Sequence, residues 1–316
     1  EKTVGGLRVT KSRECGGFIW AEEPQKFLKI AEEKGWQEAL KSVQQGDSPN
    51  KLQEALAPNR LAWLSLVDIK PSMKALDIGA GSGGIACQLA KKCNVVAIDG
   101  SDVDVEFLKI RAKQESLRNF KVLMANALDL PFERNHFDLA IMNGVLEWIP
   151  SSQPDGNPRD VQLKALKEVR RVLKTNGKFL LGIENRYYLG YFLGVPEPHT
   201  NLKYISILER GDAEQLSQEV RNLPFVEYTY ERKEYEDLIR EAGFKYIETY
   251  WLFPDYRLPQ YIIPLNSQNA IKFFVDELLK PEDYGSGIFY SIYQFYKFCN
   301  PKIIGDFVGH YGFLCS

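Results

Sequence analysis

The segment Ala75-Leu-Asp-Ile-Gly-Ala-Gly-Ser-Gly-Gly84, followed by Asn94-Val-Val-Ala-Ile-Asp99, constrains this chain more than any other. An apolar run ends in glycines at 79, 81, 83 and 84, and a helical spacing of Ile85, Leu89 and Ala90 follows. Strand, glycine turn and helix in that order open a parallel α/β unit. The next apolar run ends in Asp99, twenty residues beyond Gly79. A second parallel strand there would hold a carboxylate over the hydroxyls of a ribose. The two runs together predict a nucleoside-cofactor site at the carboxyl ends of adjacent strands.

Gly79-x-Gly81-x-x-Gly84 also satisfies the dinucleotide fingerprint, so the glycines alone leave two cofactor classes open. Asp77 separates them. It places a carboxylate on the strand two residues before the first glycine, where dinucleotide turns usually carry an apolar residue. S-adenosylmethionine carries an ammonium and a sulfonium that suit such a carboxylate, whereas a pyrophosphate wants helix N–H groups and no nearby anion. The glycines also permit positive φ and remove Cβ atoms where backbone must lie against a ligand. A tight strand-to-helix turn with no ligand is the plain structural alternative.

Composition agrees with a folded, soluble enzyme: 316 residues, 44% hydrophobic and 26% charged, allow one large domain with insertions or a core plus a small second domain. The formal net charge of −2 gives no global basic field, so no nucleic-acid partner is expected. The five cysteines (15, 87, 93, 299 and 315) form no Cys-x-x-Cys pair, which points to reduced thiols in a cytoplasm and no structural zinc. No signal peptide is read at the start, and the aromatic run from Tyr284 to Tyr296 is too short and polar to span a bilayer. The first residue is Glu1, which leaves room for the chain to be part of a longer protein or a biosynthetic assembly.

Alternating strand and helix patterns predict an α/β fold: a Rossmann-like, doubly wound, mostly parallel seven-stranded sheet with an N-terminal helical cap and late insertions. The cap is read over 1–70, with helices near Pro24 to Lys34, Gly35 to Gln44 and Leu52 to Leu66. The cofactor-binding core is read over 71–185, as strand 74–79, helix 82–92, strand 94–99, helix 102–115, strands 120–125 and 137–143, helix 160–173 and strand 178–184. An acceptor-side insertion follows over 186–230, then a core helix and strand over 231–253, a tyrosine-rich helical insertion over 254–307 and a closing strand over 308–316. All sixteen tyrosines lie after residue 186. This asymmetry predicts an acceptor site built by the later half, although most of the tyrosines are expected to be packing.

The order Asp77-x-Gly79-x-Gly81-x-Gly83, Asp99, Asn126-Ala127 and Asn143-Gly-Val-Leu-Glu-Trp148 resembles a class I S-adenosylmethionine-dependent methyltransferase. Leu173-Lys-Thr-Asn-Gly177, Ile183-Glu-Asn-Arg-Tyr187, Gly194-Val-Pro-Glu-Pro-His-Thr200 and Pro254-Asp-Tyr-Arg-Leu-Pro259 further resemble a bacterial branch found with polysaccharide, other glycoconjugate or specialised-metabolite biosynthesis genes. The resemblance implies that Asp77 holds the methionine ammonium, and that Gly79, Gly81 and Gly83 admit the methionine part. It further implies that Asp99 and Gly100, rimmed by Ser101 and Asp102, hold the ribose. Asn126 with Ala127 falls at the adenine-reading position, where the family commonly has aspartate; the amide can accept or donate there. Asn143 and Gly144 would face the methionine group and the transferred methyl, and Leu146 to Trp148 would form a wall or pack in the core.

A sulfonium is already a good leaving group, so alignment and dehydration supply most of the rate, but a hydroxyl acceptor benefits from a general base. His199, in the loop after the fifth core strand, is the first candidate, with Glu184 and Asp255 as alternatives. His136 and His310 are read as structural, and no metal is expected. The function read from the sequence is therefore O-methylation of a sugar, glycoconjugate or small-molecule hydroxyl, with S-adenosylhomocysteine as product. The alternatives are N- or C-methylation of a natural product, a dinucleotide-dependent oxidoreductase, and a non-catalytic module that binds S-adenosylmethionine.

Overall fold

The computed structural model describes residues 2–4, 7–9, 23–43, 51–283, 285 and 287–316. β1 (Lys2–Val4) and β2 (Leu7–Val9) pair as a separate antiparallel hairpin. The main sheet contains β3 (Lys74–Ile78), β4 (Asn94–Asp99), β5 (Phe120–Met124), β6 (Phe137–Asn143), β7 (Leu173–Glu184), β8 (Ile247–Phe253), β9 (Tyr261–Pro264) and β10 (His310–Cys315). Its order is β5-β4-β3-β6-β7-β10-β8-β9. β10 runs antiparallel between β7 and β8, and β9 runs antiparallel to β8, while the ladders from β5 to β7 are all parallel.

The seven strands expected from the sequence are all present, and β9 adds an eighth at the edge. Its four residues fall in a stretch read from sequence as helical. Tyr261-Ile-Ile-Pro264 hairpins back onto β8, and a proline is tolerated there because an edge strand need not donate from every N–H.

The helices are α1 (Pro24–Lys34), α2 (Trp36–Ser42), α3 (Lys51–Leu56), α4 (Ala86–Leu89), α5 (Asp102–Gln114), α6 (Pro158–Val172), α7 (Leu189–Phe192), α8 (Arg210–Arg221), α9 (Arg232–Glu241), α10 (Gln268–Phe273), α11 (Ile288–Phe298) and α12 (Pro301–Phe307). A 3₁₀ segment over Pro58–Leu66 replaces the back half of the third predicted cap helix. The predicted helix 82–92 shrinks to the single turn of α4. Gly83 has φ +78°, outside the helical region, so the helix cannot begin before it. α5 is closed by Ser101, whose Oγ accepts from Asp104 N–H, and α6 by Asn157 ahead of Pro158.

Alternation along the strands sorts side chains into two cores. Leu76, Ile78, Met142, Phe179 and Leu181 face α6 and α9, whereas Ala75, Ala97, Leu139, Ile141 and Leu180 face the side of Trp63, Leu64 and α4. α1 and α2 pack on α5 through Phe27 against Phe107, with ring centroids 5.1 Å apart, and Trp36 under the Arg111 guanidinium. The cap then crosses the glycine loop. Gln88 donates to Gly84 O at 2.9 Å and Ala57 O at 3.4 Å, and Asn59 donates to Leu258 O at 3.0 Å. One end of the sheet is thereby covered from two sides, by the cap and by the loop after β8.

Candidate active site

The cofactor residues read from the sequence gather at the carboxyl ends of β3, β4 and β6. Asp77 is 3% exposed, with the Arg60 guanidinium nearby and the Ala86 N–H donating to it. Burial pushes its carboxyl up to about 7, further than Arg60 and that N–H pull it down. Asp99 turns one oxygen to Gly81 N–H at 2.9 Å and the other to Ser101 N–H at 3.0 Å. Burial raises this carboxyl too, against the N–H groups of Ser101, Gly81 and Gly100. Gly100 thus enters the site through its backbone.

The glycines serve a tighter role than opening space for a ligand. Gly79 has φ +69°, and a Cβ there would lie 2.4 Å from Val145 Cγ2; at Gly83 it would lie 2.4 Å from Leu108 Cδ2. Gly84 lies under the cap, where a Cβ would stand 2.7 Å from Arg60 Nε. At these three positions a side chain would meet protein, and Gly81, with φ +50°, takes a conformation that favours glycine.

Asn143 ends β6 with both amide atoms buried and without hydrogen-bond partners among the described residues. Its Oδ1 occupies the space beside Gly182, where a Cβ would sit only 2.2 Å away. Gly144, at φ +70°, lies under the Tyr256 hydroxyl. A buried amide with nothing to bond, with the buried Asp77 and half-buried Asp99 carboxylates and a backbone cradle at the same end of the sheet, fits a polar ligand bearing an ammonium and a diol. At Asn126 the Oδ1 accepts Leu128 N–H at 2.9 Å, and Ala127 packs partly buried beside it.

On the acceptor side the structure brings Glu184 and His199 together and gives Asp255 other work. Glu184 ends β7, 4% exposed; its Oε1 accepts the Tyr256 hydroxyl at 3.0 Å and lies 3.9 Å from His199 Nε2. His199 Nδ1 is 2.5 Å from Glu197 Oε1, and Glu197 Oε2 takes the N–H groups of His199 and Thr200 and the Thr200 hydroxyl. Burial alone would lower the imidazole, but Glu197, Glu184 and Glu147 together raise it to about 10. His199 therefore keeps its proton at neutral pH. Trp148, at the end of the Asn143 to Trp148 segment, stands edge-on to His199 with centroids 4.9 Å apart.

Asp255 holds Arg257 through both carboxylate oxygens, with Nη2 at 2.6 Å. Burial would raise its carboxyl, but His310 and Arg257 hold it well below the usual range. Its carboxylate is committed to the loop. His310 points Nδ1 at Pro254 O, and His136 stacks on Phe132 and meets Phe137 edge-on before β6. Among the described residues no group of three or more His, Cys, Asp or Glu is arranged to hold a metal ion.

Four residues of the site are not singled out by sequence reasoning: Arg60, Glu147, Glu227 and Tyr256. Arg60 is buried over the glycine loop with Nε unpartnered among the described residues. Glu147 is fully buried, and its carboxyl is raised well above the usual range by burial first and by Glu184 second. Glu147 and Tyr256 lie inside motifs that the sequence reading quotes. Arg60 and Glu227 carry no local signal, because a charged residue in a polar segment reads as surface.

A family model described as a methyltransferase domain matches residues 69–234, just over half of the chain. An uncharacterized protein of Methanocaldococcus jannaschii is 36% identical over 116 residues, covering 37% of this chain and 47% of that protein. The ubiquinone/menaquinone biosynthesis C-methyltransferase UbiE of Rickettsia typhi is 42% identical over 115 residues, covering 33% of this chain and 42% of its own length. The chain spans less than half the length of these two curated relatives. Among solved structures, a methyltransferase from Thermotoga maritima superposes with a TM-score of 0.46 at 18% identity over 81% of this chain and 87% of that one. The glycine turn between Asp77 and Asp99 lies inside the matched region, and the chain belongs to the methyltransferase-domain family, of the class I S-adenosylmethionine-dependent kind.

Proposed function

We propose that this chain transfers the methyl group of S-adenosylmethionine to a hydroxyl of a sugar, glycoconjugate or other small molecule, with Glu184 as the proton acceptor. The observation that carries this reading is the buried Glu184 carboxylate, set between the Tyr256 hydroxyl and the His199 imidazolium at the end of β7. β7 pairs with β6 through Asn143 and Gly182, so the carboxylate stands next to the cofactor end of the sheet. A group so placed can take a proton from an acceptor; His199, already protonated at neutral pH, orients and screens it.

Asp77 suits the cofactor ammonium and Arg60 its carboxylate. Asp99 with Gly100 suits the ribose hydroxyls, and Asn126 Nδ2 with Ala127 the adenine ring. Asn143 and Gly144 suit the methionine chain. When bound, the cofactor supplies an electrophilic methyl on a sulfonium and leaves as the neutral thioether S-adenosylhomocysteine. Glu184 receives the hydroxyl proton as the new oxygen–carbon bond forms, and ends the step as a carboxylic acid beside Glu147. Trp148, Tyr191 and Tyr256 narrow the space around that carboxylate and exclude water from it.

The motifs from Ile183 to Thr200 support work in bacterial glycoconjugate or specialised-metabolite chemistry, in the cytoplasm. Carbon methylation is the second reading, favoured by the activity named for the Rickettsia relative. A carbon acid would surrender its proton to the same carboxylate. Transfer of a labelled methyl group to a panel of sugars, nucleotide sugars and phenols, with the product position read by NMR, tests both. Methyl on oxygen, lost in Glu184→Gln, is expected. Methyl on carbon would replace the first reading by the second, and no transfer to any hydroxyl would overturn it.

A further inference from the structure

More acid is buried around Glu184 than proton transfer requires. Glu147, Glu184, Glu197 and Glu227 are each at most 5% exposed. Glu197 is fully spent on His199 and Thr200, so that ion pair is closed. Three carboxyls remain. Both oxygens of Glu147, Oε2 of Glu184 and Oε2 of Glu227 have no hydrogen-bond partner among the described residues. A proton on Glu147, whose carboxyl is raised by burial and by the adjoining Glu184, accounts for part of this.

Glu227 is the independent observation. It arrives from a different segment, Phe225 to Tyr230, which is stitched to the Glu147 loop from outside. Tyr228 N–H donates to Glu147 O at 3.0 Å, and the Gln162 amide bridges Leu146 O and Tyr228 O at 2.9 Å each. Those bonds fix the backbone, and the Glu227 carboxyl is buried with its Oε2 unpartnered among the described residues. The Arg210 guanidinium bonds the Phe225 and Glu227 carbonyls and lies over the Tyr228 ring, so it serves the backbone rather than this carboxyl. Charge from Glu197 and His199 reaches Glu227, with a weaker pull from Arg221, which places it electrostatically at the same cluster. Buried carboxylates without a counter-ion are costly, and the cost falls when a cation takes the place of the protons that otherwise neutralise them.

We infer that this side of the site binds a positively charged nitrogen, so that the acceptor is an amino-bearing alcohol whose ammonium lies against Glu227 and Glu147 while its hydroxyl faces Glu184. The inference rests on the methyl-transfer reading of the site. An ammonium is larger than a metal ion and tolerates carboxylates spread around it.

Matched pairs that differ by one charge test this on protein saturated with S-adenosylhomocysteine, whose neutral sulfur cannot stand in for the amine. Calorimetric titration would compare 2-aminoethanol with ethane-1,2-diol, and glucosamine with glucose. The amine of each pair is expected to bind at least about tenfold more tightly, with a proton released, as a charged partner in a buried site should. Glu227→Gln should lose about tenfold in amine affinity with S-adenosylhomocysteine affinity unchanged, and Glu227→Asp should keep most of the preference. Equal binding within the pairs, no amine binding at about 20 mM, or an unchanged preference in Glu227→Gln would each overturn the inference. Failure of S-adenosylhomocysteine to bind at all would overturn the reading beneath it as well.

Discussion

Asp77 is predicted to hold the ligand-free protein below its attainable stability in exchange for cofactor affinity. Its carboxyl moves from 3.8 to about 7 because burial outweighs Arg60 and the Ala86 N–H. At about 1.4 kcal/mol per pKa unit, ionising it in the fold costs about 4 kcal/mol more than in the unfolded chain. The folded value is the higher one, so between these two pH values the native protein binds more protons than the unfolded chain. Asp77's stabilising contribution is therefore fully present below pH 3.8 and lost as pH rises through about 7. Asp77→Asn removes the charge at nearly constant shape. It should make the ligand-free protein about 2 to 4 kcal/mol more stable at pH 8, the lower figure allowing for the counter-charge lost to Arg60, and leave it within about 1 kcal/mol of wild type at pH 4. Urea unfolding of both proteins across that range measures the difference, and titration with S-adenosylhomocysteine at pH 8 should show the variant binding about 10- to 100-fold more weakly. Equal stability at pH 8, or a gap that does not close on acidification, would refute the reading of Asp77 as a carboxylate whose burial outweighs its partners.

Glu184→Gln should lower the methyl-transfer rate by about 100-fold or more with S-adenosylhomocysteine affinity within about twofold, as expected for loss of a general base; an equal loss in both would make Glu184 structural. His199→Gln should lower kcat less than Glu184→Gln does and remove stability chiefly below about pH 10, because the raised imidazole stabilises the fold fully below 6.5 and ceases to as pH rises through about 10; thermal unfolding against pH reads this. Gly79→Ala forces φ +69° on a side chain whose Cβ meets Val145, and should cost about 2 to 4 kcal/mol, whereas Gly211→Ala, with open space around it in α8, should be neutral within about 1 kcal/mol by chemical unfolding. Asp255→Asn should lower the melting temperature through release of Arg257 while leaving the pH profile of kcat in place; a displaced profile would return Asp255 to the list of bases.

Much of the core fold is legible along the chain because each signal is local. Glycines at 79, 81 and 83 demand positive φ, apolar runs of five to seven residues demand strands, and Asp77 and Asp99 stand at fixed offsets from them. The edge strand β9 and the short α4 escape the same reading, since one depends on a neighbour that supplies its hydrogen bonds and the other on a single backbone angle at Gly83. Glu184 and His199 are legible as candidates but not as a pair.

The division follows from what each level of structure can specify. The sequence by itself determined the parallel α/β core, the cofactor class and the positions of the two carboxylates we propose serve it, because those depend on spacing within about 25 residues. Tertiary structure decided the proton. Asp255 and Glu184 are both acidic residues near strand ends, and nothing in their local sequence says that one is locked by Arg257 while the other accepts the Tyr256 hydroxyl and faces His199. The same holds for Arg60, brought from the cap to the glycine loop, and for the Glu227 segment, tied through Tyr228 N–H to the Glu147 carbonyl across about eighty residues of chain. Desolvation and charge coupling are properties of the assembled neighbourhood, and they set which groups hold protons only once the segments have met.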